Sequence, residues 1–156
     1  MPRYGNVPKR DLSADPVYSS VLIHKFINKL MQRGKKAIAE KIVYETLAAI
    51  EKKMSKPAME VFEKALENLT PLLQVKARRV GGATYQVPVE ISKSRGQAQA
   101  IIWLRDVCAD RTGKSMVEKL SAELIDAYNG AGAAMKKKED LHKTAEANKA
   151  FAHFRW

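Results

Sequence analysis

Hydrophobic residues recur along this chain with two different periods, and the change of period divides it into elements. Leu22, Phe26, Ile27 and Leu30 fall at helical spacing behind Asp15-Pro16, a pair suited to a first helical turn, and Gly34 supplies a stop. Ile38, Ile42, Val43, Leu47, Ile50 and Met54 form the stripe of a longer second helix that must close before Pro57. Met59, Phe62, Leu66 and Leu69 mark a third, between Pro57 and Pro71.

The period then drops to two. Leu73, Val75 and Ala77 alternate with Gln74, Lys76 and Arg78, and after Gly81-Gly82 the residues Tyr85, Val87, Val89 and Ile91 resume the alternation. Two alternating runs around Gly-Gly predict a β-hairpin over 73–91. Pro88 has no amide to donate, which favours an isolated ribbon over a central strand. Two strands of about seven residues would reach about 20–25 Å, as an arm projecting from the body. Helical spacing returns with Ala98, Ile101, Ile102, Leu104, Val107 and Cys108, then with Val117, Leu120, Leu124 and Tyr128. Ser115 and Glu118 form a capping box for that fifth helix, and Gly130 can end it. A sixth helix is expected over 133–148. The predicted class is mainly α: a six-helix single-domain bundle with a protruding two-stranded β-hairpin between helices three and four.

At 156 residues the chain fits one domain, and its hydrophobic fraction of 46% supports a core without disulfides or metal. Residues 1–15 hold Pro2, Gly5 and Pro8 with no apolar period and are read as a flexible basic arm, while 149–156 form an aromatic and basic tail. No apolar run approaches a membrane span, the start lacks an apolar signal core, and the single cysteine fits a reducing compartment. A cytoplasmic location is expected.

Charge changes the picture most. Lys and Arg total 28 against 17 acidic residues, a formal net charge of +11, which calls for a polyanionic partner. The excess is concentrated. Residues 1–36 carry eight cations (Arg3, Lys9, Arg10, Lys25, Lys29, Arg33, Lys35, Lys36) against two carboxylates, and residues 74–96 carry Lys76, Arg78, Arg79, Lys93 and Arg95 against Glu90 alone. The helices between them are close to neutral. Lys136, Lys137 and Lys138 sit near a helix start, where cations oppose the macrodipole, and that local cost favours a phosphate contact.

Catalytic chemistry is sparse. His24, His142 and His153 have no metal-ligand spacing to one another or to Cys108. Cys108 lies in phase with Ile101 and Leu104 and reads as packing; Trp103, between Ile102 and Leu104, reads as a core anchor. Glu60, Glu63 and Glu67 share a solvated helix face, and Gly81-Gly82 lacks the Lys-Ser/Thr of a phosphate loop. No enzyme, cofactor, metal or small-molecule substrate is expected. The aromatics of the tail formed by Phe151, His153, Phe154, Arg155 and Trp156 either pack on the body or meet RNA or a neighbouring protein.

Lys76, Arg78 and Arg79 near a glycine turn can set guanidinium forks on phosphates while the backbone comes close. No helix reads as a recognition helix for duplex DNA, so structured RNA is favoured over a DNA-binding regulator or nucleoid protein, and both over a nucleic-acid-processing enzyme. The segment Arg78-Arg79-Val80-Gly81-Gly82-Ala83-Thr84-Tyr85-Gln86-Val87-Pro88-Val89 resembles the hairpin of the small-subunit ribosomal protein seven family, of the bacterial or organellar type. Agreement continues through Asp15-Pro16, Phe26-Ile27-Asn28, Gly34-Lys35-Lys36, Ala65-Leu66-Glu67-Asn68, Lys114-Ser115-Met116 and Ala145-Glu146-Ala147-Asn148-Lys149-Ala150-Phe151-Ala152-His153.

The resemblance implies a helical body with a hairpin arm that binds small-subunit ribosomal RNA, nucleates assembly of the subunit head, and lies near the exit-site transfer RNA and messenger path. It implies ribosomal RNA contacts from Arg10, Lys35, Lys36, Lys76, Arg78, Arg79, Arg95 and Lys114, to which the charge clusters add Arg3, Lys9, Lys25, Lys29, Lys93, Lys136 and Lys137. Arg79, Gly81, Gly82, Tyr85, His142 and Lys143 are expected near the exit-site transfer RNA and messenger. Ribosomal proteins nine and eleven are the implied neighbours. The chain departs from the family where Tyr4 follows Arg3 and where Gly96 follows Arg95, positions at which a second Arg is common.

Overall fold

The computed structural model describes Gly5 and residues 11–154. Six α-helices and one hairpin follow in order: α1 (Val21–Leu30), α2 (Lys36–Met54), α3 (Ala58–Leu69), β1 (Leu73–Val80), β2 (Ala83–Glu90), α4 (Lys93–Asp110), α5 (Met116–Tyr128) and α6 (Ala133–Ala147), with a short 3-10 helix over Lys149–Phe154. The architecture is the expected one, mainly helical with a two-stranded antiparallel ribbon between α3 and α4.

The first five helices each turn a stripe inward, and the core lies between those stripes. Ile23, Phe26 and Ile27 of α1 meet Val43, Leu47 and Ile50 of α2, and Val61, Phe62 and Leu66 of α3, all essentially buried. The rings of Phe26 and Phe62 lie 5.4 Å apart at a tilted angle, a favourable aromatic arrangement. Helices α4 and α5 close the core with Ile101, Leu104, Leu120 and Leu124. Helix α6 buries only Ala134 and Ala145, so it lies at the edge of the bundle, where it also packs on β1.

Local signals explain most boundaries. Ser115 accepts a hydrogen bond from the Glu118 amide at 3.3 Å, so Ser115 caps α5 as expected, by the serine half of the expected capping box. Ser55 in a left-handed conformation (φ 51°) and Pro57 separate α2 from α3. Gly81 and Gly82 take φ of +57° and +89°, the paired positive values that a tight two-residue hairpin turn demands. Pro88 stands opposite Val75 in a ribbon that has no third strand among the described residues.

Two expectations are corrected. Asp15-Pro16 does not open α1, which starts at Val21 behind Ser20. The Asp15 carboxylate instead accepts from the amides of Val17 and Tyr18, both at 3.1 Å, and closes a separate turn before Ser19 turns to a positive φ. An aspartate makes the same bonds in a turn as at a helix start, so its presence does not choose between them. Trp103 is half-buried and lies outside the hydrophobic core, because the inward stripe of α4 runs through Ala100, Ile101, Leu104, Val107 and Cys108.

Candidate nucleic-acid interface

The hairpin's register decides where its cations point. Residues directly opposed across an antiparallel pair share a face, and neighbours along a strand alternate. Lys76 pairs with Val87 and Arg78 with Tyr85, so these four share one face, whereas Arg79 shares the other with its partner Thr84. The face of Val87 and Tyr85 is backed by the C-terminal segment. Val87 is fully buried, and the Tyr85 ring lies 5.1 Å from Phe151 and 5.2 Å from Phe154. The tail aromatics thus brace the ribbon, and Arg78 is half-buried beside them. Lys76 and Arg79 are exposed, and Gly81 and Gly82 present bare backbone at the tip.

The base of the ribbon is tied to α6 by an imidazole. His142 accepts a hydrogen bond from the Leu72 amide through Nε2 at 3.2 Å, and the Ile91 amide donates to the Leu72 carbonyl at 3.1 Å. Burial first, and then the Lys138 ammonium, hold the His142 pKa below its ordinary value. The ring therefore stays neutral at physiological pH, as an acceptor at Nε2 requires. Lys138 donates to the Asn68 carbonyl at the end of α3, where a cation complements the negative end of the helix dipole, while Lys136 and Lys143 remain exposed and Lys137 is half-buried.

The other predicted cations fall into separate groups. Lys25 and Lys29 lie one turn apart on α1 and line a cleft with the first turns of α4, which also carry exposed Lys93 and Arg95. Lys35 and Lys36 open α2 after the Gly34 turn (φ +75°), with Lys36 3.5 Å from Glu40. Lys114 is exposed just before the Ser115 cap. Arg3, Lys9 and Arg10 lie outside the described residues. The structure brings the α1 lysines to the start of α4, and the hairpin cations beside α6.

Sequence reasoning missed the polar side chains that hold these elements. Glu123 is fully buried, pairs with Arg111, and accepts from the Ala134 amide at 2.7 Å, capping α6. Lys119 donates to the Arg111 carbonyl. Asn68 donates through Nδ2 to the carbonyls of Ala127 and Tyr128, at 3.0 and 3.1 Å, closing α5. Only the spacing between distant helices reveals such contacts. Among the described residues no group of three or more His, Cys, Asp or Glu side chains could hold a metal ion, and no helix is long and apolar enough to cross a membrane.

The comparisons with known proteins agree with this construction. The family model described as ribosomal protein S7p/S5e matches residues 2–149. The chain is 58% identical over all 156 residues to the small ribosomal subunit protein uS7 of Alkaliphilus oremlandii, covering the whole of both chains. It is 56% identical to that of Carboxydothermus hydrogenoformans and 57% identical to that of Pelotomaculum thermopropionicum, again over the full length of each. A helical body carrying a glycine-tipped basic hairpin, matched from end to end at this level, belongs to the ribosomal protein S7p/S5e family.

Proposed function

We propose that the chain is a structural, non-catalytic component of the small ribosomal subunit, working in the ribosome in the cytoplasm as one RNA-binding domain. The observation that carries this reading is the full-length similarity to proteins named for that subunit. Its mechanism is phosphate neutralisation and shape complementarity. Exposed Lys76 and Arg79 on the ribbon, half-buried Lys25 and exposed Lys29 on α1, and exposed Lys93, Arg95, Lys35, Lys36 and Lys114 supply the cations. Each phosphate so neutralised releases a counterion, at a salt slope of about 0.7–0.9 per contact. Direct binding to ribosomal RNA, nucleation of head assembly, and a hairpin tip near the exit-site transfer RNA and messenger are the finer parts of this proposal. Proteins nine and eleven are its proposed protein neighbours.

Sedimentation of the tagged chain through a sucrose gradient with ribosomal subunits tests the reading. The chain should travel with the small subunit and be stripped by high salt. A chain that stays at the top of the gradient at low salt overturns the proposal.

A further inference from the structure

Between α1 and the first turns of α4 lies a cleft of about 340 Å³ with walls of different chemistry. On α1, Lys25, Asn28 and Lys29 stand at positions i, i+3 and i+4 and so share one face. On α4, Ser94, Gln97, Ala98 and Ile101 repeat that spacing and face them. Ile101 and Ala98 form an apolar floor, and Leu12, still 43% exposed, adds an apolar rim. The side-chain amides of Asn28 and Gln97 have no hydrogen-bond partner among the described residues. Among the described residues no carboxylate lines the cleft.

An apolar floor, unengaged amides on both walls and ammonium groups at the rim match a flat ring with a polar edge attached to an anion. We infer that this cleft is a receptor for one unpaired nucleobase of a bound RNA, with the flanking phosphates on Lys25 and Lys29. The inference deepens the ribosomal reading and rests on it. A helical RNA presents phosphates and sugars to a protein and keeps its base faces stacked, so it has no use for the apolar floor; an extruded base does. An amide carries a donor and an acceptor side by side, the pair that reads the adenine edge, and Asn28 and Gln97 can do so from opposite walls. The lysines add affinity without regard to base.

The test compares two five-residue oligomers binding to the purified full chain at fixed low salt: oligoadenylate, and the same sugar-phosphate backbone without bases. The wild-type chain should bind the adenylate about tenfold more tightly, the size of one base contact. Asn28→Ala with Gln97→Ala should abolish that preference without changing the salt slope, because both lysines remain. Ala98→Leu, which raises the floor, should abolish it too. Lys25→Ala with Lys29→Ala should instead weaken both oligomers equally and lower the salt slope by about 1.4. Equal binding of the two oligomers by the wild type, or a preference that survives in both floor and amide variants, overturns the inference. If that happens while the chain still sediments with the small subunit, the ribosomal reading stands and only the base receptor falls.

Discussion

The Tyr44 hydroxyl donates a 2.7 Å hydrogen bond to the Asp15 carboxylate, which is 2% exposed and also accepts from two backbone amides. This bond joins the turn before α1 to the middle of α2. Tyr44→Phe removes one partner of a buried carboxylate and should cost about 1–2 kcal/mol in urea unfolding. The same bond has a pH signature. Burial first and the Asp15 hydrogen bond second push the Tyr44 pKa from its ordinary 10 up to about 12. The folded chain then holds this proton more tightly than the unfolded one, so the contribution is complete below pH 10 and disappears between pH 10 and 12. Melting curves of wild type and Tyr44→Phe should converge over that interval, and parallel curves would remove Tyr44 from the account.

Glu123 and Arg111 form a pair in which the carboxylate is fully buried and the guanidinium side chain is 35% exposed. Arg111→Ala leaves the charge without its partner and should cost about 3 kcal/mol. Glu123→Gln keeps an acceptor for the Ala134 amide and should cost less. The order of the two denaturation midpoints decides the point, since a merely superficial pair would make both changes small.

Tyr85 is braced by Phe151 and Phe154, so the hairpin and the C-terminal 3-10 helix should loosen together. Tyr85→Ala is expected to speed amide hydrogen exchange in β2 and over Lys149–Phe154 while leaving α2 and α3 protected. Faster exchange in only one of the two segments would show that they are not coupled.

Cys108 is buried within the core, and its thiol is pushed up to about 12, chiefly by burial and then by the Glu123 charge. Only the thiolate reacts, so a maleimide reagent at pH 7 should label the unfolded chain within minutes and spare the native one. Rapid labelling of the folded protein would mean that α4 opens locally.

The local order of this protein was legible in its residues. Alternation around Gly81-Gly82 predicts the ribbon because only glycine takes two positive φ values without strain, and Ser115 with Glu118 marks the start of α5 because the cap is made within one turn. Period two even places Arg78 and Arg79 on opposite faces. What the residues alone could not show is which face would be covered, since Phe151 and Phe154 reach Tyr85 from more than sixty positions away. Asp15 and Glu123 carry the same lesson: nothing in the residues beside either carboxylate shows that Tyr44, Arg111 or the Ala134 amide arrives from another element. Hydrogen bonds within a turn and the pitch of a helix are properties of neighbours in sequence, so the chain by itself determined its elements and its excess of cations. Burial and pairing depend on which helices come together, so only the tertiary structure decided that Lys25 and Lys29 face Gln97 across a cleft while Lys138 caps α3.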